Sequence, residues 1–221
     1  MPAVSLTTLR ARVRQRADMV SSNFIADDAT GLDAFINEGV QKLHEKLVDA
    51  MGEEYVSSTS ALTTVAAQSD YTLPAGFYKL YGVDLNIGGR VRALKPYMRP
   101  ERNVYRENLY PNYVPRYSLV GGSLRLCPVP AGGLTGSILY APEATTLTLP
   151  ADTVTFPNGW ERYVVIYAAI QALLKEESSV TALSAVLERE EQELDRIKMQ
   201  RDLAAPKQVV DLDLVDTEVL Y

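Results

Sequence analysis

Residues 83–90 read VDLNIGGR and residues 118–127 read SLVGGSLRLC, so two runs of strand-forming residues are each interrupted by a pair of glycines. A two-residue loop between antiparallel strands favours residues that accept positive φ, and glycine does so without steric cost. Each stretch therefore predicts a tight β-hairpin. Two further segments are strand candidates: Tyr71–Leu73 and Ile138–Tyr140. Gly and Pro residues divide the whole region from 55 to 156 into short extended segments.

Helical periodicity precedes this β region. Apolar residues at steps of three and four indicate one helix that Ser5 caps, and a second that begins near Thr30 and ends at Gly52. The first stripe consists of Leu6, Leu9, Val13, Ala17 and Val20, and the second of Ile36, Val40, Leu43, Leu47 and Met51.

Helical periodicity also returns after the β region. The segment from Trp160 to Lys175 is apolar nearly all round, which predicts a buried helix. A fourth helix is predicted from Thr181 to Leu203, with Glu190 interrupting its apolar stripe. The sequence thus predicts an α+β fold: a helical bundle built from both ends of the chain, an inserted antiparallel β-sandwich or barrel, and an extended C-terminal arm. The predicted divisions are 1–54, 55–157, 158–204 and 205–221.

Composition limits the classes of partner. The 221 residues are 47% hydrophobic with a formal net charge of −6, which favours a packed core and gives no overall attraction to nucleic acid or to an anionic membrane. The segment Tyr163–Leu174 is shorter than a membrane-spanning helix requires. Because the N-terminus shows no signal-peptide pattern and Cys127 is the single cysteine, we expect folding in the cytoplasm, no internal disulfide and no membrane partner.

Residues suited to catalysis are few. A single histidine, His44, excludes a histidine-rich metal site, and Cys127 lies between Leu126 and Pro128 like a small apolar strand residue. We therefore expect no enzymatic activity, no metal and no cofactor. Paired carboxylates stay open as an alternative, because glycosidases need two. The candidates are Asp84, Glu101, Glu107 and Glu143.

Three surfaces are candidates for contacts with other molecules. Four arginines flank the apolar stripe of the first helix, and they fit a solvated face, an ion-pair surface between subunits (the acidic fourth helix being one partner), or contacts to DNA phosphates. The interval from Pro96 to Pro115 predicts a long exposed loop, and the alternating apolar and acidic C-terminus predicts a docking arm. The arginines of the first helix are Arg10, Arg12, Arg14 and Arg16. The contact residues predicted in the loop are Tyr97, Arg102, Tyr105, Tyr110 and Tyr113. Those predicted in the arm are Val210, Leu212, Leu214, Val219, Leu220 and Tyr221.

Several short motifs, in order, resemble the bacteriophage head-to-tail adaptors, a family that includes the tail tubular protein A-like proteins of short-tailed phages. Each motif is weak alone, but their order spans nearly the whole chain. They are Leu9-Arg-Ala-Arg-Val13, Phe24-Ile-Ala-Asp27, Phe35-Ile-Asn-Glu38, Leu73-Pro-Ala-Gly-Phe77-Tyr-Lys-Leu80 with Gly82-Val83, Arg116-Tyr117, Leu124-Arg-Leu126-Cys-Pro128-Val-Pro130, Tyr140-Ala-Pro142 and Trp160-Glu-Arg-Tyr163.

The resemblance implies a structural subunit of the virion. In that family the subunits form a ring, implied here to be a dodecamer, between the portal and the tail nozzle or tail tube protein, and the genomic DNA passes through its lumen without sequence-specific binding. Two alternatives stay open. One is a tail-associated carbohydrate-binding or hydrolytic β module that uses the tyrosine-rich loop, and the other is a completion or minor capsid protein.

Overall fold

The structure, a computed structural model, describes residues 3–20, 24–101 and 114–197. Helices lie at the two ends of this range and strands in the middle. The helices are α1 (Leu6–Arg16), α2 (Leu32–Met51), α3 (Glu161–Lys175) and α4 (Thr181–Ile197). The strands are β1 (Val4–Ser5), β2 (Ser58–Thr63), β3 (Asp70–Thr72), β4 (Phe77–Ile87), β5 (Arg90–Ala93), β6 (Arg116–Val120), β7 (Ser123–Cys127), β8 (Thr135–Pro142) and β9 (Thr153–Val154).

Helix α1 begins at the predicted cap but is shorter than its apolar pattern indicates. The hydroxyl of Ser5 accepts a hydrogen bond from the backbone N–H of Thr8 at 3.3 Å. The helix ends at Arg16, and Asp18 follows with a φ of +56°, which turns the chain away from the helix axis. Val20 is consequently 71% exposed, so the prediction that it belongs to the buried stripe is wrong.

Helix α2 begins at Leu32, two residues after Thr30, where its polar signals indicate the start. Gly31 occupies the cap position, while Asp28 accepts hydrogen bonds from the N–H and hydroxyl of Thr30, each at 2.9 Å. These bonds lower the pKa of Asp28. A Cβ atom at Gly31 would overlap the carbonyl oxygen of Ala26, so this turn requires glycine. Gly52 ends the helix with a φ of +55°, as predicted.

The helices share one apolar core. The buried sides of α1, α2 and α3 meet there, and Leu194 of α4 joins them. Three residues from the end of the strand region, Leu147, Val154 and Phe156, belong to the same cluster, because β9 pairs with β1 at the start of the chain. The predicted extension of α4 to Leu203 lies outside the described residues.

The larger strands form two antiparallel sheets, with strand orders β2-β8-β4-β5 and β3-β7-β6. Both predicted hairpins are confirmed. Ile87 pairs with Arg90 across Gly88-Gly89, and Val120 pairs with Ser123 across Gly121-Gly122. In these turns Gly88, Gly89 and Gly121 have positive φ values of +62°, +79° and +59°, respectively.

The two sheets contribute to a second apolar core. The four-stranded sheet supplies Leu62, Val83, Leu85 and Ile138, and the three-stranded sheet supplies Tyr71, Leu124 and Leu126. The α+β class is confirmed. Strands β2 and β5 form the edges of one sheet, and β3 and β6 form the edges of the other. Within the described residues neither sheet closes on itself, so the prediction of a barrel is wrong.

None of the described helices combines the length and the apolar character needed to cross a membrane.

Candidate interaction surface

The arginines of α1 were predicted to line both shoulders of the helix. Arg10 instead forms a bidentate ion pair with Asp33 of α2, with Nε–Oδ1 and Nη2–Oδ2 distances of 2.7 and 2.6 Å. The two side chains are only 16% and 6% exposed, and the hydrogen bond to Asp33 raises the pKa of Arg10. Arg10 therefore connects α1 to α2 inside the subunit, and the solvated position expected for it is not observed.

Arg14 also contacts its own subunit. Its Nη2 atom donates to the carbonyl oxygen of Ile25 and to Oδ1 of Asp27, both at 2.7 Å. A buried carbonyl needs a donor, and Arg14 supplies one to the loop between α1 and α2. Asp33 and Asp27 thus bind Arg10 and Arg14 within the subunit. Of the four arginines of α1, this leaves Arg12 and Arg16 for contacts with other molecules.

Arg12 and Arg16 lie on the rim of a groove between α1, α3 and α4, which we call the α1–α3–α4 groove. Its volume is about 580 Å³. Among the described residues, Arg12 has one long ion pair, 3.5 Å to Glu161, and Arg16 has no carboxylate within 4 Å. The groove is lined by Arg12, Gln15, Arg16, Arg162, Val165, Ile166, Val186 and Glu190.

Arg162 connects α3 to α4 at this groove. Its Nε lies 2.6 Å from Oε2 of Glu190 and its Nη2 lies 3.0 Å from Oε2 of Glu193. Glu190 is 7% exposed, and its contact has the distance of an ion pair but not the alignment of a hydrogen bond. This pairing explains why a glutamate interrupts the apolar stripe of α4. The acidic side of α4 is therefore partly neutralised within the subunit, by Arg162 of α3 and by Lys46 of α2, whose Nζ lies 3.1 Å from Oε1 of Glu191.

The floor of the groove is apolar and its rim is basic. Val165 and Ile166 are buried in α3, while Val186 of α4 is half-buried. Arg12 and Arg162 keep 48% and 55% of their side chains exposed. A surface of this kind suits an apolar segment that carries acidic residues.

Of the contact residues predicted in the tyrosine-rich loop, Tyr97 is the one that lies within the described residues. Tyr97 is 8% exposed, and its N–H donates to the carbonyl oxygen of Tyr117 at 2.9 Å. The loop thus starts by packing beside β6, so the expectation that Tyr97 is an exposed loop residue is wrong. Its other predicted contact residues lie outside the described residues: Arg102, Tyr105, Tyr110 and Tyr113. The same holds for the predicted arm residues Val210, Leu212, Leu214, Val219, Leu220 and Tyr221.

His44 connects the helices to the β region. Its Nε2 lies 2.9 Å from the carbonyl oxygen of Pro142 in β8, and its Nδ1 lies 3.3 Å from the hydroxyl of Tyr55. Burial lowers the pKa of His44 and raises that of Tyr55 to about 12. Nothing in the sequence indicated this contact, because His44 and Pro142 are 98 positions apart.

Across 3–20, 24–101 and 114–197, no group of three or more His, Cys, Asp or Glu side chains is arranged to hold a metal ion. Cys127 is a partly buried cysteine in β7. Of the four carboxylates named as possible catalytic pairs, Glu107 lies outside this part of the chain.

Comparison with known protein families gives a match over nearly the whole chain. The model of the SU10 adaptor protein family matches residues 4–210, which includes both the helices and the strands. No curated protein matches the chain.

Proposed function

Because the chain belongs to the SU10 adaptor protein family, we propose that it is a structural subunit of a bacteriophage head-to-tail connector. In this proposal, copies of the chain form a ring in the virion between the portal and the tail nozzle or tail tube protein, and the genome passes through the lumen. The dodecameric stoichiometry and the tail tubular protein A-like character rest on the motif resemblance.

The observation that carries the proposal is the extent of the family match, residues 4–210 of 221. A match limited to the strands would fit a β module inserted in an unrelated protein. This match includes both apolar cores, so the family relation applies to the helices and the sheets together. We propose on this basis that the helices form a bundle, that the sheets form a sandwich, and that the divisions 1–54, 55–157, 158–204 and 205–221 describe the chain.

The α1–α3–α4 groove is our proposed contact between neighbouring subunits. A contact between different surfaces of identical subunits generates a ring when the rotation closes. The groove offers such a neighbour apolar area and the charge of Arg16, which has no carboxylate within 4 Å among the described residues. Arg12 and Arg16 are therefore the members of the predicted arginine set that remain proposed as subunit or channel contacts.

The loop and the C-terminus are proposed to contact the other virion proteins. We propose that the loop contacts the tail through Arg102, Tyr105, Tyr110 and Tyr113. We propose that the C-terminal arm contacts the portal. All described members of the two buried cores precede Val209 in the chain. We expect a variant lacking Val209–Tyr221 to keep its thermal unfolding midpoint and to lose capture by immobilised portal rings. Equal capture of the deletion variant would exclude the arm as the portal contact.

The deciding experiment mixes the purified chain with the portal protein of the same phage and examines the product by negative-stain electron microscopy. A structural adaptor adds a ring of density to one face of the portal. A chain that stays monomeric beside the portal and binds glycans would support the carbohydrate-binding alternative. A chain that binds assembled heads or tails but not the portal would support a completion or minor capsid protein.

A further inference from the structure

Strand β5 ends the four-stranded sheet and is exposed along its whole length. Its four residues, Arg90–Ala93, pair with β4 on one side, and among the described residues no strand pairs with the other side. All four side chains are exposed, and Val91 is 72% exposed. An open edge of this kind is a template for another strand.

The backbone of β5 also has hydrogen-bonding groups available at that edge. Val83 accepts from the N–H of Leu94, and in an antiparallel pair the bonded residues alternate. Arg92 and Arg90 therefore bond to β4, while the N–H and C=O groups of Val91 and Ala93 point towards the open edge. The backbone N–H and C=O groups of these two residues are therefore oriented so that an added strand could bond to them.

The side chains of β5 have an unusual order. Arg92 pairs with Leu85 and Arg90 with Ile87, so the two arginines lie on the face of the sheet that carries the apolar core. Val91 lies on the opposite, solvent face beside Asn86. Inward charges protect an edge from indiscriminate pairing. They also select a partner strand that carries carboxylates on that face, and neither arginine has a carboxylate within 4 Å in the part of the chain that the structure describes.

One stretch of the same sequence has the complementary order. Residues 210–213 read Val-Asp-Leu-Asp, acidic and apolar in alternation, and they belong to the 24 positions that follow the described end of α4. The named strands of the described sheets all pair antiparallel, although the isolated bridge between Pro96 and Tyr117, just after β5, is parallel. In an antiparallel arrangement, Arg90 and Arg92 would face Asp213 and Asp211. The same register places Leu212 opposite the exposed Val91.

We propose that β5 binds residues 210–213 of a neighbouring copy as an added fifth strand. The proposal rests on the ring proposed above, because exchange of a terminal strand between neighbours is a contact of different surfaces, as a ring requires. Backbone bonds to Val91 and Ala93 would hold the strand, and the two Arg–Asp pairs would set its register. In this arrangement residues 210–213 of the C-terminal arm would bind the neighbouring copy, and Val219, Leu220 and Tyr221 would be the part of the arm that contacts the portal.

The test uses a fluorescent peptide of residues 207–216 and the full-length chain, followed by fluorescence anisotropy. We expect saturable binding that R90E/R92E weakens by roughly tenfold or more, because two attractive cross-strand pairs become repulsive. A peptide with the D211R and D213R substitutions should bind the R90E/R92E chain and not the unchanged one. The control variant, K42E/R189E, makes the same change in charge at two exposed residues with long ion pairs and should bind like the unchanged chain.

The location is checked with a short bismaleimide in a C127S background. Cysteine at position 91 of the chain should cross-link to a peptide carrying cysteine at position 212, whereas cysteine at exposed Val129 should not. Absent binding, equal binding to R90E/R92E, or equal cross-linking of the peptide to cysteine at position 129 would overturn the proposal. If rings nevertheless form on the portal, the adaptor function stands without the added strand. If the unchanged chain binds peptide but forms no ring, the adaptor proposal fails instead.

Discussion

The ion pair between Arg10 and Asp33 holds α1 against α2, and it provides a matched comparison with Arg12 on the same helix. Replacing Arg10 with alanine leaves the carboxylate of Asp33 without its partner in a site that is 6% exposed. We expect R10A to lower the free energy of unfolding by about 1 to 3 kcal/mol, because a buried charge loses its hydrogen bonds. Arg12 has a half-exposed side chain and a long ion pair, so R12A should cost about 0 to 1 kcal/mol. Urea denaturation of both variants tests this; similar losses would show that the Arg10 pair has no special weight.

His44 predicts a pH dependence of stability. Because burial lowers its pKa in the folded protein, the unfolded chain binds a proton more readily at this position. The stability that neutral His44 contributes is therefore present above the unfolded pKa of about 6.5 and is lost progressively as the pH falls towards the folded value. The advantage of the unchanged protein over H44Q should be larger at pH 7.5 than at pH 5.5 in urea denaturation. A constant difference would contradict a neutral, buried His44.

The N-terminus of α2 depends on a close approach of backbone atoms at Gly31. In G31A the new methyl group would meet a carbonyl oxygen, and backbone atoms cannot move aside as a side chain does. We expect a loss of about 1 to 3 kcal/mol in the free energy of unfolding. G122A is the control, since a Cβ there meets no atom within 4 Å and its φ is not positive. It should change stability by less than about 0.5 kcal/mol. Thermal unfolding of the two variants compares them; equal effects would contradict the proposed overlap.

Assembly of the whole molecule should depend on the α1–α3–α4 groove. R16E places a negative charge on the rim of that groove without breaking an ion pair among the described residues. Because it also puts a carboxylate in the last turn of α1, the free energy of unfolding should fall by about 1 kcal/mol or less. Ring formation on the portal should weaken, because charge at an interface controls which surfaces associate. K42E is the control, since Lys42 is 55% exposed on α2 and has a 3.6 Å ion pair with Glu45. Counting rings in micrographs decides; R16E rings as frequent as those of K42E would remove the groove from the subunit contact.

The sequence by itself determined the features that depend on neighbouring residues. Gly88-Gly89 and Gly121-Gly122 accept positive φ, so the two hairpins could be located without any distant contact. The steps of three and four in α1 and α2 express the helical repeat, and Ser5 and Gly52 mark helix ends through local hydrogen bonds and backbone conformation. The α+β class follows from the change of period at both borders of the strand region.

The tertiary structure alone decided how distant segments pair. The sequence placed four arginines on α1, but the positions of Asp33 and Asp27 determine that Arg10 and Arg14 form ion pairs inside the subunit. Among the described residues, Arg16 has no carboxylate within 4 Å. Likewise, the pairing of β1 with β9 draws Phe156 into the helical core, and Tyr97 is buried because its strand neighbour is Tyr117. Periodicity specifies which face of an element is apolar. Which element covers that face depends on contacts between residues far apart in the chain, and those contacts form only when the chain folds.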